Sequence, residues 1–306
     1  MVGLLEILGW RRAYGTKSYS DFLDNLFAFL EKKGFSPVMD KSQNIFVSVG
    51  NKKRLFCAHT DTVEVRSFHK EPRTGKKELF ITDNGQFVMT TNDDTLGADD
   101  GAGVYVLLRM IDAGIEGDYA FFAGEEVGGI GSSHFASYNK KDYKYAVEFD
   151  RRGSTDIIGD MMVGRTASSA FMTQFEGFTP DLGSFTDVAN LSYDIPECIN
   201  LSVGYYNEHS GSEYLDLSAL GNLVTFVLTK DWDSLTVFRN PVAELHSWSG
   251  SRTSKERDLY DYVYENPDSV AMYLEMLNIT PEEIENETSI YTSSSPLYDR
   301  EYKSYV

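Results

Sequence analysis

The most constraining stretch of this chain runs from Tyr119 to Ser132. Tyr119 to Ala123 is an unbroken apolar run of the length of a buried strand. Two adjacent carboxylates, Glu125 and Glu126, follow it at once, within the glycine-rich turn Gly124 to Gly131. Ligands of open α/β sheets sit at the carboxyl ends of strands. A carboxylate pair there can divide labour, one gripping a metal and the other moving a proton. Read alone, such a pair is more often a solvated acidic loop, so the neighbouring segments decide.

The same arrangement recurs along the chain. Arg54 to Ala58 reads as a strand and runs into His59-Thr60-Asp61-Thr62. Residues two apart in an extended backbone share a face, which puts His59 and Asp61 together. A carboxylate beside a histidine can orient the ring and raise its basicity as a ligand. Thr95 to Gly103 places Asp99 and Asp100 in a small-residue turn before the helical pattern Val104 to Ala113, so that the backbone can approach whatever the carboxylates hold. The spacing lacks the acidic ladder of an EF-hand. Tyr145 to Phe149 is another apolar run, ending at Asp150-Arg151-Arg152. Cys198 to Val203 precedes the loop Asn207 to Glu213, which carries His209.

The remaining elements fit around these. A helix is expected over Ser20 to Lys33, with Ser20 as N-cap candidate, and a strand over Asn44 to Val49. Asp83-Asn84-Gly85 marks a hairpin between strands Glu78–Thr82 and Gln86–Thr90, read as a surface excursion over 66–94. Short helices are expected at Gly131–Tyr138, Thr166–Phe175 and behind Asp187, and a closing helix over Leu215–Leu228, opened by Asp216 or Ser218. Strand and helix alternate from about residue 54 to 230, which argues for an α/β domain with a mostly parallel central sheet flanked by helices. Beyond Trp232 the character changes. Glu256–Tyr264, Pro267–Leu277 and Pro281–Glu287 look helical, and Thr288–Val306 is Ser/Tyr-rich. The expected organisation is a catalytic domain over 1–235 and a helical, acidic extension over 236–306.

Charge narrows the function. There are 47 acidic residues against 28 basic ones, a formal charge of -19 that repels phosphate backbones and anionic lipid and attracts cations. Neither nucleic acid nor membrane is expected as a partner. The apolar start, Met1 to Trp10, precedes Arg11-Arg12, the reverse of a secretory signal. No run reaches the roughly 18 apolar residues of a membrane span. Cys57 and Cys198 sit in strand-like runs and read as two core thiols of a cytoplasmic protein.

His59, Asp99, Glu126, Asp150 and His209 together make a ligand set for two divalent ions, Zn²⁺ by preference, with Co²⁺ and Mn²⁺ also suited to imidazole and carboxylate. His69, His134 and His246 lack such company. With these pieces in hand, the chain resembles the co-catalytic zinc exopeptidases, the clan of bacterial leucyl aminopeptidases, tripeptidases and related carboxypeptidases. The resemblance rests on Ala58 to Thr62, Leu96 to Gly103, Gly124 to Gly128, Glu148 to Asp150 and His209 to Glu213, in the family's order.

That resemblance implies a zinc-exopeptidase (phosphorylase/hydrolase-like) fold and a two-metal mechanism with a bridging hydroxide. Asp99 is implied to bridge the metals, its peptide bond to Asp100 being cis. His59 and Asp150 complete one site, Glu126 and His209 the other. Asp61 orients His59, and Glu125 is the general base. Some branches insert a whole domain between the fourth and fifth ligands; here only about 59 positions separate Asp150 from His209. No inserted lid domain is therefore expected. The leading function is an aminopeptidase acting on short peptides. The alternatives are a deacylase or carboxypeptidase-like amidohydrolase, with Arg151 or Arg152 on a substrate carboxylate, and a catalytically silent binding relative.

Overall fold

In a computed structural model the described residues are 3–64, 76–91, 94–139 and 141–241. The helices expected beyond residue 255, together with His69 and His246, lie outside them. The elements begin with α1 (Leu4–Leu8), α2 (Lys17–Lys32), β1 (Val38–Met39), β2 (Ile45–Val49) and β3 (Arg54–His59). Next come β4 (Leu79–Ile81), β5 (Phe87–Thr90), α3 (Ala98–Asp112), β6 (Gly117–Phe122), α4 (Ile130–Tyr138) and β7 (Tyr145–Arg151). The short elements β8 (Asp156–Ile158), β9 (Asp160–Met161), β10 (Gly164–Arg165), α5 (Ser169–Met172), β11 (Thr179–Asp181) and α6 (Asp187–Leu191) follow. The described part closes with β12 (Glu197–Ser202), β13 (Tyr205–Tyr206), β14 (Tyr214–Asp216) and α7 (Leu217–Thr229).

The central sheet has the order β1-β2-β6-β3-β7-β12-β8-β11. Its middle, β6-β3-β7-β12, is parallel throughout. The antiparallel pairings are β1 with β2, β2 with β6, and β12 with β8. The fold is thus α/β with a mostly parallel central sheet flanked by helices, as the alternation of patterns predicts. Strands buried on both faces carry no polar alternation, and all six residues of β3 and of β12 are buried.

Successive side chains of these strands feed two cores. Phe56, Ala58, Tyr119, Phe121, Val147 and Phe149 pack on one face with apolar residues of α1, α2, α3 and α7. Leu55, Cys57, Ala120, Phe122, Ala146 and Cys198 pack on the other with residues of α4 and α6. The period of two in the pleat sorts neighbours to opposite sides. Both cysteines are buried and free.

Several boundaries differ from the sequence reading. Helix α2 starts at Lys17, because Thr16 rather than Ser20 caps it and accepts the Tyr19 amide. The helix expected over Thr166–Phe175 shrinks to the single turn α5, capped by Ser168, since Thr166 is drawn to the sheet by its hydroxyl on the Cys198 carbonyl. Asp216 opens α7, accepting the amides of Ser218 and Ala219. The hairpin β4–β5 is not simply an outlying excursion: β5 pairs with β14, giving a second sheet β13-β14-β5-β4. Among the described residues no helix is long and apolar enough to cross a membrane.

Candidate active site

Three parallel strands deliver their carboxyl ends to one edge of the sheet. His59 is the last residue of β3 and pairs in register with Phe122 of β6. Asp150 lies one residue before the end of β7. Glu125 and Glu126 sit in the turn that follows β6. Asp99 stands in the first turn of α3, where Gly97 adopts φ 72° and Asp99 and Asp100 depart from helical geometry. The Asp99–Asp100 peptide bond is cis. His209 comes from the loop between β13 and β14.

The side chains converge. His59 Nε2 lies 2.9 Å from Asp99 Oδ1 and 3.3 Å from Asp150 Oδ1. His209 Nε2 lies 3.1 Å from Asp99 Oδ2 and 3.0 Å from both carboxylate oxygens of Glu126. The two oxygens of Asp99 therefore face one imidazole each. His59 and Asp99 group with Glu126, and His59 also groups with Asp100 and Asp150, close enough in each case to share an ion. Asp100, however, is spoken for by main-chain amides: it accepts from His59 N at 3.1 Å and Gly103 N at 2.9 Å.

Asp61 stands beside the His59 ring, as its spacing implies, and has further partners besides. The ring Nδ1 of His59 is 3.1 Å from the main-chain carbonyl of Asp61, and 3.7 Å from the carboxylate. The Asp61 carboxylate also accepts the amides of Gly124 at 2.8 Å, Glu125 at 3.2 Å and Glu126 at 3.3 Å. It thereby shapes the turn that presents both glutamates. Asp150 is held by Thr186 Oγ1 at 3.0 Å and by the Tyr205 hydroxyl, 3.2 Å from Oδ1.

So many acids at close range are costly without a counter-ion. Burial, reinforced by its neighbours Asp150, Asp187 and Glu126, pushes the Glu125 carboxyl up to about 10, against the pull of His59. Burial likewise raises Glu126 and Asp150, with Asp99 adding to both. Burial alone would lower His59, but Asp150, Asp61 and Asp99 hold it well above its usual range. His209 is lifted to about 11 by its bonds to Asp99 and Glu126. Imidazole nitrogens facing buried carboxylate oxygens form a donor set that divalent cations satisfy and a proton satisfies only one bond at a time, so the residues present fit two metals.

These groups open on a cavity of about 370 Å³. Its wall combines the acids and His209 with Ile158, Met161, Leu182 and Phe185, and with Arg151 and Arg152. Arg151 is engaged by Asp181 at 2.9 Å, and Arg152 by Glu208 at 3.2 Å. His134, set aside as a surface histidine, lies apart from the cluster, 3.5 Å from Asp40. Sequence reading overlooked Arg12 and Glu213 as parts of the site's frame. Glu213 accepts Gly97 N at 2.7 Å and Asp99 N at 3.1 Å.

Comparison with known proteins places both a segment of the sequence and the fold beside peptidases. Residues 44–190 match the model described as Peptidase family M28. No curated protein matches significantly. Among solved structures, the aminopeptidase PepT from Bacillus cereus aligns at TM-score 0.59 and 15% identity, over 74% of this chain and 95% of its own. The TET1 peptidase of Pyrococcus horikoshii, which can assemble into a tetrahedron or a large octahedral shell, aligns at TM-score 0.58 and 18% identity, over 74% and 98%. A tripeptidase from Staphylococcus aureus aligns at TM-score 0.55 and 14% identity, over 74% and 95%. The family model thus covers the segment from before His59 to beyond Asp150, and the solved peptidases share the fold.

Proposed function

We propose that this chain is a metal-dependent exopeptidase, most specifically an aminopeptidase that removes N-terminal residues from short peptides. The observation that carries the reading is the Asp99 carboxylate, whose two oxygens face His59 and His209 from opposite elements of the fold. His59, Asp99 and Asp150 would hold one ion, and Asp99, Glu126 and His209 the other. Zn²⁺ is the first choice, with Co²⁺ and Mn²⁺ as alternatives. When bound, the ions supply a nucleophilic water at neutral pH and Lewis-acid activation of the scissile carbonyl.

The chain's own groups do the rest. Glu125 lines the cavity beside the ligands without being one of them. The raised Glu125 carboxyl is that of the metal-free site; two cations bound beside it would favour its ionised form, and that carboxylate would take a proton from the attacking water and hand it to the leaving amine nitrogen. Asp61 fixes the backbone of Glu125 and Glu126 through three amide bonds, so base and ligand are aimed by one residue. The apolar wall of Ile158, Met161, Leu182 and Phe185 offers room for a substrate side chain. The catalytic unit would span 1–235, with 236–306 as an extension to it.

A second reading, a deacylase or carboxypeptidase-like amidohydrolase, draws on Arg152, which lines the cavity and whose side chain is 60% exposed. A guanidinium so placed can take a substrate carboxylate. Metal analysis of the pure protein alongside a panel of free-amine and N-blocked peptides, read by mass spectrometry, tests both. Two equivalents of metal and trimming from a free amino end are expected. Cleavage confined to N-blocked substrates would favour the second reading, and less than one equivalent of metal would sink both.

A further inference from the structure

Arg12 is fully enclosed, with 0% of its surface exposed. An arginine is rarely buried without a specific set of partners. This one donates to three main-chain carbonyls: Nε to Thr60 O at 2.9 Å, Nη1 to Ile7 O at 2.8 Å and Nη2 to Gly97 O at 2.6 Å. Its own carbonyl accepts the Thr62 amide at 3.1 Å. The Phe22 ring packs 5.3 Å from the guanidinium carbon. Thr60 directly follows His59, and Gly97 precedes Asp99 by two residues. One planar group therefore spans the two segments that present those side chains.

The surroundings are shaped for it. A Cβ on Gly101 would stand 2.9 Å from Arg12 Nη2, and one on Gly97 would stand 3.3 Å from the same atom. Glu213 grips the same turn by its amides, at Gly97 N and Asp99 N. The turn is held by its carbonyl on the arginine and by its amides on the glutamate. Tyr19 adds a bond from its hydroxyl to Thr60 Oγ1, at 2.7 Å.

We propose that Arg12 is a positioning residue, whose guanidinium locks the His59 strand end against the Asp99 turn and so sets the distance between His59 Nε2 and Asp99. A rigid fork can serve both carbonyls in one plane. Lysine, a compact charge on a flexible stem, cannot reproduce that geometry. The inference rests on the metal-centre reading, because its consequence is felt in how the donor atoms close on an ion.

The test uses full-length protein stripped of metal and titrated with Co²⁺, followed by calorimetry and visible absorption, with thermal melts in parallel. Wild type is expected to take two ions. Arg12→Lys is expected to lose about 10- to 100-fold in affinity for the ion held by His59, with an altered visible spectrum. In the loaded enzyme kcat should fall while KM moves by less than about twofold. Should Arg12→Lys fail to fold, Gly101→Ala, which keeps the arginine and crowds its guanidinium, is expected to show the same loss. A folded variant with wild-type affinity and spectrum overturns the proposal. Wild type that binds no Co²⁺ overturns the metal-centre reading instead, and this inference falls with it.

Discussion

At the scale of single residues, the site separates holding from aiming. Glu125 shares its turn with Glu126, yet only Glu126 meets an imidazole, at 3.0 Å. Glu125→Gln keeps size and backbone bonds while removing the proton acceptor. It is expected to lower kcat by about 10²- to 10⁴-fold, with metal content by elemental analysis unchanged. Full activity in that variant would remove the assigned base. The groups that meet were legible in sequence because histidines and acids at strand ends are chemically conspicuous. Arg12 was not, because its partners are main-chain carbonyls, which leave no trace in residue identity. The glycines beside Asp99 were seen, but not that Gly101 makes room for the Arg12 guanidinium. Asp61 was read as a partner of the His59 ring; that its carboxylate also accepts the amides of the neighbouring turn was not legible, because main-chain donors leave no trace in residue identity.

At the scale of elements, α3 lies against the sheet at unusually short range. A Cβ on Gly103 would come within 2.0 Å of the Phe149 carbonyl on β7 and 2.5 Å of the Asp100 carboxylate. Gly103→Ala must push the helix off the strand that carries Asp150. A loss of about 1–3 kcal/mol is expected, as for overpacking elsewhere, measurable by chemical denaturation. A stability within 0.5 kcal/mol of wild type, an estimate of the usual surface effect, would mean the helix shifts freely. Helix α2 was readable because one buried face imposes a period, and the buried strands because they are short unbroken apolar runs. The small sheet β13-β14-β5-β4 was only half visible: β13 has two residues and β14 three, too few to show alternation. Thr166 looked helical by composition, but its hydroxyl bond to Cys198 keeps it at the sheet.

At the scale of the whole molecule, the chain carries 47 acidic residues against 28 basic ones, and the acids Asp99, Asp100 and Asp150 beside His59 are buried, where charge is poorly screened. Binding of two cations there should couple to global stability. At a hundredfold excess over Kd each ion adds about 2.7 kcal/mol, which for a domain of this size corresponds to a rise in Tm of roughly 5–10 °C. Calorimetric melts with and without a chelator check this, and identical curves would count against it. The β6-β3-β7-β12 order also has a temporal consequence. Strands adjacent in space are distant along the chain, and His209, on the loop after β13, arrives last. A growing polypeptide that has not yet cleared the ribosome beyond this loop lacks one of the two imidazoles that face Asp99. The second of those imidazoles is therefore added only when 208 of the 306 residues are already made.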